Sequence, residues 1–306
     1  MSEQNTRTGL WLMVLTTVIF SSQDGITKHL AGSYPIAMVV MLRFWAFGVA
    51  AALISARRAG GLKAAVATRH PALQAFRGAV VAVQICLTSY AFAHLGLIPT
   101  HAVLVCGPLL IAALSGPVLG EHVGWRRWVA IAVGGVGVLI ILRPDTTVFT
   151  LLSLLPLVAA SLWSLYVLAT RYVSRQDSAA VSFLWTGLGG AVVMTVPGLL
   201  AWAPMTPGDW FWMLALCCTS VTGHFLLIKA YDLAEASALQ PLTYLQLVFV
   251  SMVGVYVYGE VLRPNLVIGA MIVVAAGLFT LWRQQVRARA ASRAAVTVTV
   301  AEIEPR

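Results

Sequence analysis

Charge is what this chain has least of. Asp, Glu, Lys and Arg supply 10% of its 306 residues, against 59% hydrophobic, and mean hydropathy is +0.86. That balance excludes a water-soluble globular domain, which needs a polar shell around its core. Cysteine is scarce too. Cys86, Cys106, Cys217 and Cys218 all fall in apolar runs, which excludes a disulfide framework or a spaced zinc site and leaves them as small packing residues. There is no P-loop, no His-Glu-x-x-His, no Gly-x-Ser-x-Gly and no close acidic pair within the apolar runs. Direct ATP coupling within the chain and the familiar hydrolase chemistries are thereby excluded.

What is present is a succession of long apolar segments. Crossing about 30 Å of hydrocarbon takes roughly 20 such residues as a helix. Ten segments qualify, near 9–29, 36–55, 73–94, 100–119, 126–142, 150–170, 180–202, 210–229, 239–258 and 265–282. The first lacks a small-residue cleavage site and is too long for a signal peptide, so it is expected to stay as span one.

The net charge of +9 does not indicate nucleic acid. With the N-terminus placed inside, sixteen of the 20 basic residues fall in cytoplasmic segments or adjoining helix ends. Three face outward (Lys28, Arg143, Arg263) and Arg43 lies within a span. The positive-inside rule then puts both termini in the cytoplasm. Little Asn and Lys beside abundant Ala and Arg suggests a bacterial inner membrane. The bilayer itself is one partner, and the Arg-rich tail 283–306 would lie against its anionic headgroups.

The chain also repeats itself. Leu87 to Leu139 overlies Leu226 to Leu278 without a gap, matching Gly120-Glu121 to Gly259-Glu260, Val118 to Val257 and Ala91 to Ala230. The division expected is a short tail 1–8, a first repeat 9–142, a second repeat 150–282 and the basic tail. Each repeat holds five spans, an odd number, so the second is expected to be inverted relative to the first. The fold class is therefore an all-α integral membrane protein of ten helices.

The repeated unit reads GPLLIAALSGPVLGEHVGWRRWVAIAVGGVGVLIIL and then PLTYLQLVFVSMVGVYVYGEVLRPNLVIGAMIVVAAGLFTL. This pattern resembles the EamA repeat of the drug/metabolite transporter superfamily, over nearly the whole chain. FSSQDGITKHL, followed by MLRFW, is similar to a bacterial branch that includes riboflavin and S-adenosylmethionine uptake proteins. The resemblance implies two inverted five-helix halves, a central cavity lined by spans one to four and six to nine, and transport without covalent chemistry or a cofactor.

An ionisable side chain inside a span costs at least about 2.5–3.5 kcal/mol unless it faces protein or water, and is a functional candidate by default. Span one runs outward and span two inward, so Asp24 and Arg43 fall at similar depth in the outer third, with Lys28 one turn beyond Asp24. These three are expected to form one cluster. Its functional reading has Arg43 holding an anionic group of the solute and Asp24 carrying a proton. Its structural reading is a static tie between spans one and two.

A second set of candidate solute contacts lies near mid-depth: Gln84, Trp163, Tyr166, His224, Tyr244 and Gln246. Trp163 and Tyr166 share a helix face, as do Gln240 and Tyr244, and such faces suit a planar solute. The competing reading is interhelical hydrogen bonding. His94 and His101 have no acidic or thiol companion at metal spacing, so no metal is expected. Glu121 and Glu260 are read as structural, each accepting hydrogen bonds from the unpaired N–H groups of a helix start. Gly134, Gly135 and Gly137 on span five and Gly269, Ala275, Ala276 and Gly277 on span ten suit close helix approach within the bundle, with contact to a second copy, a homodimer, as the alternative.

These features point to a secondary transporter that moves a small organic metabolite, anionic or zwitterionic, by alternating access. A multidrug or amino-acid exporter is the alternative within the class. A membrane-embedded enzyme or a channel stands further off.

Overall fold

The computed structural model describes residues 3–59, 61–120, 124–142, 151–174, 176–234 and 239–303, and all structural statements concern these. They form twelve α-helices: α1 Glu3–Ser33, α2 Ile36–Ala59, α3 Leu62–Val66, α4 Pro71–His94, α5 Leu97–Leu104, α6 Gly107–Leu119, α7 Trp125–Leu142, α8 Leu155–Val173, α9 Ala179–Leu200, α10 Pro207–Leu233, α11 Leu245–Tyr258 and α12 Pro264–Ile303. Two 3₁₀ turns, Leu151–Leu154 and Gln240–Tyr244, lead into α8 and α11. Ten spans result, all long and apolar enough to cross a membrane. Helix is the only element that satisfies its own backbone hydrogen bonds in hydrocarbon without closing a barrel.

Span four is broken into α5 and α6 at Val105 and Cys106, because Pro108 has no N–H to offer the preceding turn. The hydrogen-bond ladder restarts there, Leu109 and Leu110 both donating to the Cys106 carbonyl at 2.9 and 3.1 Å. Span nine changes from 3₁₀ to α at Tyr244 and Leu245, the two residues that the repeat matches to Val105 and Cys106. Of the prolines in the spans, Pro108 sits at the break of span four, Pro241 opens the 3₁₀ turn of span nine, Pro117 and Pro197 ride inside helices, and Pro99 and Pro156 lie in first turns. Span ten does not stop at Trp282, since the Ala- and Arg-rich segment beyond it continues α12 to Ile303.

The packing carries the mark of the repeat. Span one packs on spans eight and nine, span six on spans three and four, span two on spans seven and eight, span three on span seven, and span five on span ten. Replacing each span by the one five places away maps this set onto itself, while the contact of span one with span three has no comparable counterpart between spans six and eight among the described residues. Single bonds follow the same rule. Ser21 donates to the Gln246 carbonyl at 3.2 Å, and Ser164 donates to the Gly107 carbonyl at 3.3 Å. Gly107 and Gln246 correspond in the register that matches Gly120 to Gly259, and Ser21 and Ser164 occupy equivalent places on the first span of each half. The register that pairs these two serines also pairs His29 with Tyr172, and that of the later spans pairs His70 with Asp209. Asp209 meets His29 at 2.9 Å, and their counterparts His70 and Tyr172 meet with ring centroids 5.7 Å apart.

Glycine lets the crossings close. A Cβ on Gly137 would lie 2.8 Å from the Gly269 carbonyl oxygen, and one on Gly269 would lie 2.6 Å from that of Gly137. Gly134 closes on Leu109, whereas Gly135 has nothing within 4 Å. The expected role of the Gly-rich runs in close helix approach therefore rests on Gly134, Gly137 and Gly269. We predict that Gly137→Leu destabilises the bundle by at least ~1–3 kcal/mol through overpacking, and that Gly135→Leu is tolerated. Thermal unfolding of the detergent-solubilised proteins checks this.

Polar ties pin the helix ends. At the start of α10, Tyr34 and His29 bond Asp209 at 2.6 and 2.9 Å, and Thr206 caps the helix. At the start of α4, Asp177 accepts from Gln74 at 2.8 Å, from the Arg69 amide at 3.3 Å and from Thr68. Arg77, placed by sequence among the cytoplasmic charges, is instead buried, donating to Gln74 at 2.7 Å, Thr170 at 3.0 Å and the Ser182 carbonyl at 2.5 Å. Burial alone would raise the Asp177 carboxyl, but the bonds from Thr68, Gln74 and Arg69 outweigh it and hold it below the ordinary carboxylate value. Its stabilisation is therefore complete above the unfolded value of about 3.9 and is lost as pH falls through the lower folded value. Asp177→Asn is expected to flatten that acid limb of a stability-versus-pH curve.

Candidate functional site

The site begins at the end of the bundle where α11 stops. α11 ends on Gly259, whose φ of 64° is the left-handed cap that glycine adopts without strain, and Gly120 ends α6 the same way at 72°. The reversal swings Glu260 back over the bundle. Its carboxylate accepts the Leu97 amide at 2.7 Å and the Ile98 amide at 2.8 Å and pairs with Lys28. Lys28 also lies over the Tyr258 ring, 4.4 Å from its centroid, and the Tyr258 hydroxyl donates to the Gly25 carbonyl at 2.6 Å. The helix start that Glu260 caps is that of span four in the other repeat, not the helix that follows it. Gly96 makes room for this, since a Cβ there would be 2.9 Å from the carboxylate. Glu121 lies outside the described residues.

One turn deeper is Asp24. Its Oδ2 meets His101 Nε2 at 3.0 Å and accepts from Gln246 Nε2 at 3.0 Å. His101 is itself held by stacking on Phe92, with ring centroids 5.2 Å apart and an interplanar angle of 15°. The expected cluster of Asp24, Lys28 and Arg43 is therefore corrected in its bonds, while Asp24 remains the leading charge acting on Arg43. Lys28 pairs instead with Glu260, whose carboxylate also caps span four. Arg43 turns toward α10, where Nε donates to Ser220 Oγ at 3.1 Å. Helical spacing put Asp24 and Lys28 one turn apart but was blind to acceptors on spans eight and nine.

Around Arg43 stands an aromatic group. His224 Nδ1 lies 2.8 Å from the Ser220 carbonyl, and its ring meets Phe20 and Phe47 edge-on at 5.2 and 5.1 Å. Arg43, Ser220 and His224 thus form a second polar group, joining span two to span eight, with Phe20 next to the residues that carry Asp24.

The remaining candidates are more dispersed. Gln84 donates to Thr88 one turn along its own helix at 2.9 Å. Trp163 and Tyr166 do share a face, with rings 5.4 Å apart, and Tyr166 lies under the Arg77 guanidinium at 5.2 Å. Tyr244 is buried with its hydroxyl directed at Gly277 of α12, in the position a Cβ there would occupy. That placement makes Tyr244 a packing residue between spans nine and ten and separates it from Gln246. His94 bonds the Tyr90 carbonyl at 2.9 Å and stacks on that ring, so it shares nothing with His101. Among the described residues no group of three His, Cys, Asp or Glu is placed to hold a metal.

Sequence reasoning missed His101 and Ser220. His101 was weighed only against His94, the nearer histidine along the chain, although its depth below the outer surface matches that of Asp24. Ser220 gave no signal, because a serine in an apolar helix ordinarily bonds its own preceding turn.

Comparison with known proteins fits this architecture. The EamA-like transporter family matches residues 150–282. The riboflavin transporter of Vibrio cholerae serotype O1 is 33% identical over 210 residues, 67% of this chain and 69% of that protein. The S-adenosylmethionine uptake transporter of Rickettsia prowazekii is 26% identical over 282 residues, 90% and 93% of the two chains. The pseudopaline exporter of Pseudomonas aeruginosa is 25% identical over 279 residues, 88% and 94%. A solved crystal structure superposes with a TM-score of 0.59 at 17% identity, covering 90% of this chain and 96% of the other, a likeness of fold. The chain belongs to the EamA-like transporter family, within the drug/metabolite transporter superfamily. It is a multi-pass membrane transporter of a small molecule and not an enzyme.

Glu260→Ala leaves the Leu97 and Ile98 amides without their acceptor, at about 1–3 kcal/mol for each buried group. It is expected to reduce folded, monodisperse protein sharply. Glu260→Gln keeps one acceptor oxygen and should lose less, and Lys28→Met, which leaves the cap intact, least of all. Fluorescence-detected size-exclusion chromatography ranks the three.

Proposed function

We propose that the protein is a secondary carrier for a small zwitterionic organic metabolite, working by alternating access in a bacterial inner membrane with both termini cytoplasmic. Its ten spans act as two inverted five-span halves, residues 9–142 and 150–282, that rock about a cavity between them. The observation that carries this reading is the buried polar belt: Asp24 with Gln246 and Arg43 with Ser220, each pair drawn from both halves. Ionisable groups in hydrocarbon are retained where they meet a partner, a solute or water. In that belt Arg43 is assigned to an anionic group of the solute and Gln246 to a hydrogen-bonding one. His224, Phe20 and Phe47 supply the apolar wall, and Trp163, Tyr166 and Gln84 are further contacts toward the other end of the cavity.

Charge balance favours a zwitterion. With Lys28 neutralised by Glu260, the belt presents one acid, Asp24, and one permanent base, Arg43. A purely cationic drug would meet Arg43 unpaired. The names of the relatives, a riboflavin transporter, an S-adenosylmethionine uptake transporter and a pseudopaline exporter, support a metabolite as cargo in either direction, and the driving gradient then sets the direction of flux.

Counterflow in proteoliposomes tests the reading, with solutes first selected by thermal shift, since a ligand stabilises the state it binds. Saturable uptake accelerated by solute trapped inside is expected. Arg43→Gln should abolish it while retaining the wild-type elution profile, and Arg43→Lys should keep part of it. Unsaturable flux would mark a channel, and a chemically altered solute an enzyme.

A further inference from the structure

Resting on the carrier reading, we propose that Gln23 is a specificity-determining residue of the solute site, its carboxamide oxygen accepting an N–H of the solute while Arg43 holds an acceptor group of the same solute. Gln23 is 4% exposed, and its Oε1 is enclosed without a hydrogen-bond partner among the described residues. A buried acceptor left without a donor is a standing loss of stability, and native folds keep few of them. Other enclosed atoms without a partner lie elsewhere: Tyr244 Oη and Asn265 Oδ1 belong to the packing of span ten, and His70 Nε2 stands at the start of span three. Gln23 Oε1 lies beside the polar belt, where a donor can arrive with the solute.

The contacts of α1 place it there. Phe20, one turn before Gln23, meets His224 of α10, and His29, further along α1, meets Asp209 at the start of α10. Ser220 lies between His224 and Asp209 on α10, so it stands level with Gln23 to within a turn. Ser220 is the residue that receives Nε of Arg43, at 3.1 Å. Ile26, three residues beyond Gln23, packs against the core that holds Phe44 and Phe47, neighbours of Arg43 on α2. Residues three apart are neighbours on a helix surface, so Gln23, between Phe20 and Ile26, faces α10 and α2. Asp24, about 100° round the helix, turns instead to His101 of α5 and Gln246 of α11. No hydrogen bond joins Gln23 Oε1 to Arg43, and the interval between acceptor and guanidinium is left for a solute.

An acceptor beside a guanidinium reads a donor beside an acceptor. Arg43 donates to a carboxylate or carbonyl oxygen, and Gln23 takes an N–H, which an amino group or the imide of a planar ring can supply. A solute without that N–H leaves Oε1 enclosed and unpaired, so the residue selects by penalising the wrong solute as well as by holding the right one.

The full chain in lipid nanodiscs tests this with two pairs of solutes: riboflavin, which carries an imide N–H, against 3-methylriboflavin, in which a methyl group replaces that hydrogen, and S-adenosylmethionine against its deaminated analogue. Gln23→Met removes the oxygen and keeps the length of the side chain. Without solute it is expected to melt at or above the wild-type temperature, because it deletes an unpaired buried acceptor. Its affinity for the parent solute should fall by about tenfold or more, while its affinity for the analogue without the N–H stays at the wild-type value. A loss confined to riboflavin assigns an imide donor, and a loss confined to S-adenosylmethionine assigns an amino donor. A variant that melts well below wild type shows that the oxygen is tied within the fold, and wild-type affinity for both parents shows that it only meets water; either result overturns the proposal. Counterflow separates the two readings: a wild-type chain that exchanges neither parent sinks the carrier reading for these metabolites and the assignment of Gln23 with it, whereas exchange that Gln23→Met leaves unchanged sinks the assignment alone.

Discussion

Hydrocarbon supplies no hydrogen bonds, and the rest of the structure follows from that constraint. Each polar group within the bilayer must find its partner inside the protein. Helices satisfy nearly all of the backbone. What remains, the helix ends, the breaks at proline and the few ionisable side chains, is gathered between the two repeats. Glu260 is the most concentrated instance. A single carboxylate satisfies two orphan amides at the start of span four and one ammonium from span one. In water such a group would be one surface charge among many, but here it fixes the relative positions of three spans.

The repeat turns local solutions into paired ones. Ser21 to Gln246 and Ser164 to Gly107 are the same bond made twice, as are the left-handed caps at Gly120 and Gly259 and the helix breaks of spans four and nine. Sites that bind or couple must nevertheless depart from this likeness. In the register that pairs Ser21 with Ser164, Asp24 falls on Val167, an apolar side chain. The Asp24 cluster therefore has no acidic counterpart at that position of span six.

Legibility from sequence was uneven for a physical reason. Span count, span class and the duplication depend on composition and spacing along the chain, and these were plain, whereas the pairing of Gly137 with Gly269 came only with the packing of span five on span ten. The chemistry of Glu260 was plain too, because a carboxylate just past a helix has few roles in lipid. The Asp24 cluster was half legible. Helical periodicity offered Lys28 and Arg43 as partners, while the fold bonded Asp24 to His101 and Gln246, which lie far off along the chain. Tyr244 shows the opposite failure, since its polarity and depth suggested a cavity wall and packing turned it toward Gly277.

By itself the sequence determined that the chain lives in a membrane, how many times it crosses and that it does so as two related units, since these follow from runs of side chains weighed against the thickness of a bilayer. Only the tertiary structure decided which ions pair. In a low dielectric the winning partner is the one brought within about 3 Å with suitable geometry. That distance is set by how ten helices pack, which spacing within any one helix does not encode.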